Sequence, residues 1–442
     1  MLLRQSIFTA VLLSILVSVT SCGSGNGPPN LPPNENPDGY KFVASDLTRD
    51  EDPNVPAGDL QELVVGNSEF AFDIYRELAS EDGNIFFSPF SISQALAMTW
   101  AGARNNTEAQ IADTMHFTLG QDGLHPAFNR LDLELQSRGE GAAGKDGEGF
   151  RLNIANSTWG QDGWTWLPGF LDVLALNYGA GMRLVDFQSD PESCRLTIND
   201  WVEEKTEDRI KDLLPPGSVD AMTTLVLVNA IYFNAAWFEP FEEEDTYSGD
   251  FTLLDESTLT TPLMFQNEEH GYMEGDGFKA CEIMYDGQEL SMVIILPDVG
   301  RFDEIESWLS AETVNGIIGA MGNYSVDLTM PKFGYESEFS LNDTLYGMGM
   351  TDAFTPGVAD FSGMDGSLLL YITDVVHKAF VAVDEAGTEA AAATGVVIGY
   401  TSIPEYAEFK ADHPFIFFIR DLETGAILFL GRVVDPTEGG EA

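Results

Sequence analysis

The sequence predicts an α+β fold with large, mostly antiparallel sheets, on three observations. The first half carries apolar residues at three- and four-residue spacing, the second half carries apolar, β-branched and aromatic runs, and no segment repeats. With 442 residues, 44% hydrophobic and 11% aromatic, the chain can bury a large core, and length alone implies two or three domains.

Taken in order, Leu60 to Ser80 reads as a helix. "NIFFSPFSISQALAMTWAGA", Asn84 to Ala103, reads as a short apolar strand and then a helix capped at Ser88 with Pro89 in its first turn. "NNTEAQIADTMHF" predicts another helix, opening at its Thr with an acidic first turn. "TTLVLVNAIYFNAAW", Thr223 to Trp237, has the uninterrupted apolar character of a strand buried on both faces. Further strands are expected at Ser291 to Asp298, Tyr324 to Phe333, Ile372 to Glu385, Pro414 to Asp421 and Ala426 to Val434.

Residues 1–22 form a separate unit: Arg4, an apolar stretch from Ile7 to Val19 too short to span a bilayer, and a small-residue end, "VTSC". That pattern resembles the lipobox of bacterial lipoproteins, which implies export and a lipid anchor on Cys22, facing the periplasm or the extracellular space. An ordinary cleaved signal peptide is the alternative. Residues 23–58, rich in Gly, Pro and Asn and then in acidic residues, are expected to form a disordered tether. The folded part is expected at 59–437, with a disordered tail at 438–442. The two remaining cysteines, Cys194 and Cys281, are expected to be separate and buried rather than a disulfide framework.

Asp and Glu number 72 against 21 Lys and Arg, a formal net charge of −51. Such a surface repels nucleic acid and gives a heparin-type polyanion few positive charges to meet. The acidic residues are spread through the chain among normal apolar content, so the excess reads as solubility in a saline habitat or a generally acidic solvated face. The saline reading expects thermal stability to rise between low and molar salt.

No G-x-S-x-G, H-E-x-x-H, G-x-x-x-x-G-K-[ST] or C-x-x-C pattern is present, so no enzyme, cofactor or metal is expected. "EEED", Glu242 to Asp245, reads as a solvated turn rather than a calcium site. His377, inside an apolar strand, reads as a hydrogen-bonded core residue.

One stretch, "VDEAGTEAAAATGVVIGYTS" (Val383 to Ser402), mixes strong helix formers with glycine and β-branched residues, and so suits two incompatible backbones. With "NIFFSPFSISQALAM", "TINDWVEEKTEDRIKDLLPPG", "LVLVNAIYFNAAWFEPF", "VVHKAFVAVDEAGTEAAAAT", "FKADHPFIFFIRD" and "GRVVDP", in that order, it resembles the serpins, the serine-protease-inhibitor superfamily. The resemblance implies one domain of three β-sheets and eight or nine helices with an exposed reactive-centre loop, and a monomer whose partners are serine proteases. Ser88, Ser91, Asn229 and His377 match the polar shutter under the main sheet, and Trp237 and Lys332 the breach at its top, where Lys332 pairs with Glu385. Glu385, Gly387, Thr388, Glu389, Ala390, Ala391, Ala392 and Ala393 match the hinge.

By period-two spacing Thr388, Ala390, Ala392, Thr394, Val396 and Ile398 share one strand face, with no charge or proline to bar them from a sheet interior. The family's usual spacing from Glu385 sets the scissile bond between Thr401 and Ser402, with Tyr400–Thr401 as the alternative. Threonine there suits an elastase-like protease, and Tyr400 a chymotrypsin- or subtilisin-like one. Gly395 and Gly399 weaken the loop as a strand. The implied function is inhibition as a suicide substrate, the alternative being a non-inhibitory serpin-fold binding protein that is simply cleaved.

Overall fold

The computed structural model describes residues 39–139, 142, 151–388 and 405–438. The chain runs β1 (Lys41–Val43), α1 (Ala57–Leu78), β2 (Ile85–Phe87), α2 (Pro89–Trp100), α3 (Asn105–Thr114), α4 (Gln121–Gln136), β3 (Arg151–Gln161), α5 (Pro168–Tyr178), β4 (Met182–Val185), α6 (Pro191–Lys205) and β5 (Leu225–Ala236). The remainder is mostly strand: β6 (Tyr247–Thr252), β7 (Thr258–Gly275), β8 (Phe278–Met284), β9 (Leu290–Pro297), α7 (Phe302–Trp308), α8 (Ala311–Ala320), β10 (Gly322–Pro331), β11 (Phe333–Ser340), α9 (Asn342–Gly347), α10 (Ser362–Asp365), β12 (Asp374–Val383), β13 (Gly387–Thr388), β14 (Glu405–Lys410), β15 (Phe415–Asp421) and β16 (Ile427–Val433).

Where expected and observed elements differ, local chemistry explains it. Ser88 caps α2 as expected, its side chain accepting from Ser91 N with Pro89 in the first turn. The next helix starts at Asn105 instead of at Thr107, and Thr107 Oγ1 instead accepts from Asp360 N. Hydrogen bonding joins the strands into two sheets rather than the three expected. The cause is the 18-residue β7, which pairs with β6 and β10 from Thr258 to Tyr272 and with β8 from Gly271 to Gly275, so one strand carries one sheet into the next. Ten α-helices occur among the described residues, the excess over eight or nine being short turns such as the four-residue α10.

The first sheet has the order β1-β4-β3-β5-β13-β12-β11. β5 and β12 pair in parallel from Val226/Asp374 to Tyr232/Phe380, and above that point β13 sits between them. β5 is buried at all 12 positions, the two-faced burial its sequence implies. On one face lies the large core shared with the second sheet and α1 and α2; on the other, a smaller core under α6 includes Trp159, Ile198, Trp201, Val228 and Val376. Cys194 and Cys281 are free and buried.

The tether boundary needs correction, because residues 39–58 are part of the fold. β1 adds an antiparallel edge strand to β4. Tyr40 and Phe42, with Trp159 and Trp201, surround the Arg183 guanidinium, whose carbon lies 4.2 Å from the Trp201 ring centre and 5.5 Å from that of Phe42. Farther along, Ser45 Oγ donates to Asp172 at 2.5 Å, Asp50 N to Leu176 O at 2.9 Å, and Arg49 pairs with Asp132 at 2.6 Å. Composition over a window hides this, because a few anchoring side chains suffice to dock a polar segment. At the other end Glu438, expected to open the tail, accepts from Asn84 N at 3.1 Å. Residues 1–38, with Cys22, lie outside the described residues.

This strap should contribute measurable stability. Tyr40→Ala with Phe42→Ala removes two aromatic walls from a largely desolvated cation and is expected to cost about 2–3 kcal/mol in denaturant unfolding. An unchanged midpoint would show that the segment merely rests on the sheet edge.

Candidate functional site: the seam of the main sheet and its hinge

The polar residues singled out in the sequence converge at the middle of the β5–β12 seam. Register places Asn156 of β3, Asn229 of β5, His377 of β12 and Phe339 of β11 in one row across four strands, and the start of α2 brings Ser88 and Ser91 against it. The amide of Ser88 donates to His377 Nε2 at 3.1 Å, so Nε2 is the acceptor and Nδ1 carries the proton. Nδ1 then donates to Asn229 Oδ1. Asn229 Nδ2 donates to Ser91 Oγ at 2.5 Å and to Asn156 Oδ1. Asn156 Nδ2 continues to Gln94 Oε1 at 2.9 Å, and Ser88 Oγ donates to Leu428 O of the second sheet at 2.7 Å.

The arrangement is a latch. One hydrogen bond, His377 to Asn229, joins the side chains of β12 and β5, and both residues are buried. In such surroundings a made bond is strong and an unmade one is costly. Asn156 and Gln94 belong to the latch although the sequence reading did not include them; the signal was the polar Asn156 on a strand that packs under α2.

Burial, opposed only weakly by its Asn229 bond, pushes His377 down to about 3, and burial pushes His125 and His270 down to about 4. All three are therefore neutral in the fold. An unfolded chain takes up their protons near pH 6.5, so their contribution is complete above that value and is lost as pH falls from there toward 4 and 3. Between pH 7 and 5 the loss is expected to be about 2 kcal/mol per histidine. Chemical unfolding over this range should show it, and His377→Gln should remove one share of the slope.

At the top of the seam, residues 384–388 make a tight turn into the sheet. Asp384 Oδ1 accepts from Ala386 N at 2.8 Å and Gly387 N at 3.2 Å. Trp237, 1% exposed, donates its indole N–H to Asp384 O at 3.1 Å and its amide to Ala386 O at 2.8 Å. Lys332 and Glu385 pair at 2.8 Å, and Thr246 Oγ1 donates to the other Glu385 oxygen at 2.7 Å. Burial pushes the Glu385 carboxyl up, but the Lys332 and Thr246 bonds outweigh it and hold it below the usual range.

Gly387 pairs with Ala236, and Thr388 with Ala235 on one side and Val383 on the other. Only glycine fits at 387, since a Cβ there would lie 2.2 Å from the Ala235 carbonyl oxygen. Thr388 is fully buried, its hydroxyl 2.8 Å from the phenol of Tyr285. Tyr285 and Asp384 gave no signal in the sequence, for their roles come from contacts between distant segments. The rest of the hinge, Glu389 to Ala393, and the bait residues Tyr400, Thr401 and Ser402 lie outside the described residues. The "EEED" stretch is a solvated 3-10 turn at Glu243–Asp245 with nothing buried, and no cluster fit to hold a metal occurs among the described residues.

Known proteins are similar to this chain in sequence and in fold. A sequence profile described as "Serpin (serine protease inhibitor)" matches residues 65–436. The chain is 40% identical over 385 residues to an uncharacterized serpin-like protein of Thermococcus kodakarensis, covering 86% of this chain and 88% of the relative. It is 40% identical to leukocyte elastase inhibitor A of Rattus norvegicus over 395 residues, covering 85% of this chain and all of the relative. Among solved structures, uncleaved ovalbumin superposes with a TM-score of 0.76 at 28% identity, covering 85% of this chain and 100% of that one. The thermophilic serpin tengpin in its native state superposes with 0.77 at 28% identity, covering 90% and 99%. Matched over more than four fifths of its length in both sequence and fold, the chain belongs to the serpin family.

Proposed function

We infer that this protein inhibits serine proteases as a suicide substrate, trapping an acyl-enzyme by inserting its cleaved loop between β5 and β12. The observation that carries this reading is β13, two loop residues already seated in the parted top of the seam. Continuing that register one residue at a time brings Thr394 opposite Asn229 on one side and His377 on the other. It brings Ile398 opposite Leu225 and Thr401 opposite Met222, just past the end of β5. The whole length of β5 therefore matches Gly387 to Ile398, which ends three residues short of Thr401.

The residues that would point inward with Thr388 are alanine, threonine, valine and isoleucine, none with a charge to desolvate. Insertion would replace the His377–Asn229 bond with contacts to Thr394, so the latch would open into a partnered state. A dozen residues paired on both edges would gain on the order of 10–20 kcal/mol at about 1 kcal/mol per hydrogen bond. A protease domain is held together by roughly 5–15 kcal/mol, so the step has force enough to distort the trapped enzyme before it deacylates.

Similarity to leukocyte elastase inhibitors and Thr401 at the expected bond favour a protease with a small, elastase-like pocket. Lipidation of Cys22 would hold the inhibitor at a membrane, exposed to exogenous proteases. The test is incubation with elastase-, chymotrypsin-, trypsin- and subtilisin-like enzymes. An SDS-stable complex with at least one is expected, and mass analysis of the released peptide identifies the bond. Loop cleavage without a complex at both low and high salt would establish the cleaved-substrate alternative instead.

A further inference from the structure

The geometry points to Tyr285 as a positioning residue that keeps the hinge docked in the main sheet before any protease arrives. This deepens the inhibitory reading and rests on it only for the inhibition readout described below.

Tyr285 follows β8 in the second sheet, so it reaches the hinge from outside the sheet that the hinge enters. Its ring stacks on Trp237 with centres 4.6 Å apart and planes 13° from parallel, and meets the edge of Phe233 at 5.2 Å. Its backbone is fixed as well: the amide donates to Leu290 O at 3.0 Å and the carbonyl accepts from Gln288 N at 2.9 Å. The side chain is 1% exposed, and burial pushes the phenol far above its usual range, so the hydroxyl stays neutral. Among the described residues, Thr388 Oγ1 is the hydrogen-bond partner of that hydroxyl, and Thr388 is itself fully buried.

The two partners are held differently. Tyr285 is clamped by two aromatic rings and its backbone bonds, while Thr388 belongs to the two-residue strand Gly387–Thr388 at the top of the seam. When the hinge swings out, Thr388 finds water but the Tyr285 hydroxyl stays behind, buried and unpartnered, and such a group resists being left unmade. The bond thus biases the hinge toward the docked state, in which the first two residues of the future strand already occupy their register. Removing it shifts the docked-to-undocked ratio about tenfold toward undocked. With the first residues undocked, cleavage competes better against insertion.

Four variants of the full chain test this: Tyr285→Phe, Thr388→Val, Thr388→Ser and the Tyr285→Phe/Thr388→Val double. Without protease, amide exchange at Gly387 and Thr388 is expected to quicken about tenfold in Tyr285→Phe and Thr388→Val. It should stay at the parent rate in Thr388→Ser, which keeps the hydroxyl. The double variant should add little to either single change, since both remove one bond. In titrations against a protease that the parent traps, the first two variants are expected to consume several times more inhibitor per enzyme, and Thr388→Ser no more than the parent.

Parent-like hinge exchange in Tyr285→Phe would overturn the assignment, as would Thr388→Ser behaving like Thr388→Val. Uniform quickening along β5 and β12 in Tyr285→Phe would also overturn it, because that is a loosened sheet rather than a released hinge. If the exchange pattern appears as expected but not even the parent forms a complex, the positioning role holds and the inhibitory reading falls.

Discussion

Thr388→Arg is expected to convert the protein from an inhibitor into a substrate. Thr388 is fully buried between Ala235 and Val383 with its hydroxyl against Tyr285. Seating a guanidinium there costs several kcal/mol even after relaxation. The variant escapes that cost by leaving the hinge outside the sheet, so the fold survives while the first step of insertion is blocked. Loop cleavage should proceed at the parent rate or faster, and the SDS-stable complex should fall by more than tenfold. A complex yield equal to the parent's would contradict insertion through this seam.

Asn229→Ala is expected to have the largest effect on stability. Asn229 is 1% exposed and meets His377, Ser91 and Asn156. Alanine leaves the His377 Nδ1 proton without an acceptor in a fully buried site and cuts the link to Asn156, a loss of about 3 kcal/mol. Unlike the hinge substitution, this change destabilises the folded chain itself. Denaturant unfolding should shift to lower concentration, and amides of β5 and β12 should exchange faster than those of β15 and β16. An unchanged unfolding midpoint would mean that the polar row is not a latch.

Much of this was legible in the sequence because the signals are local or periodic. Ser88 with Pro89 marks the start of α2, and the apolar run to Ala236 marks a strand buried on both faces. His377 stood out as a polar residue in an apolar strand and Asn229 through the family resemblance, and the structure sets them side by side. What was not legible depends on distance. Asn156 completes the latch through register between β3 and β5, 73 residues apart in sequence. Tyr285 reaches Thr388 over 103 residues. The strap was misread because Gly, Pro and acidic residues dominate residues 23–58 by count, whereas Tyr40, Phe42 and Arg49 decide the docking.

The central claim is that the cut loop becomes a strand between β5 and β12, and unfolding of the nicked protein tests it most directly. The loop is cleaved with a protease that does not remain bound, both fragments are kept together, and denaturant unfolding is compared with that of the intact chain. Insertion adds hydrogen bonds on both edges of a new central strand, so the cleaved form should be more stable by on the order of 10 kcal/mol. Amides of β5 and β12 near Asn229 and His377 should become the slowest to exchange. A cleaved form no more stable than the intact one, with seam exchange unchanged, would contradict the account.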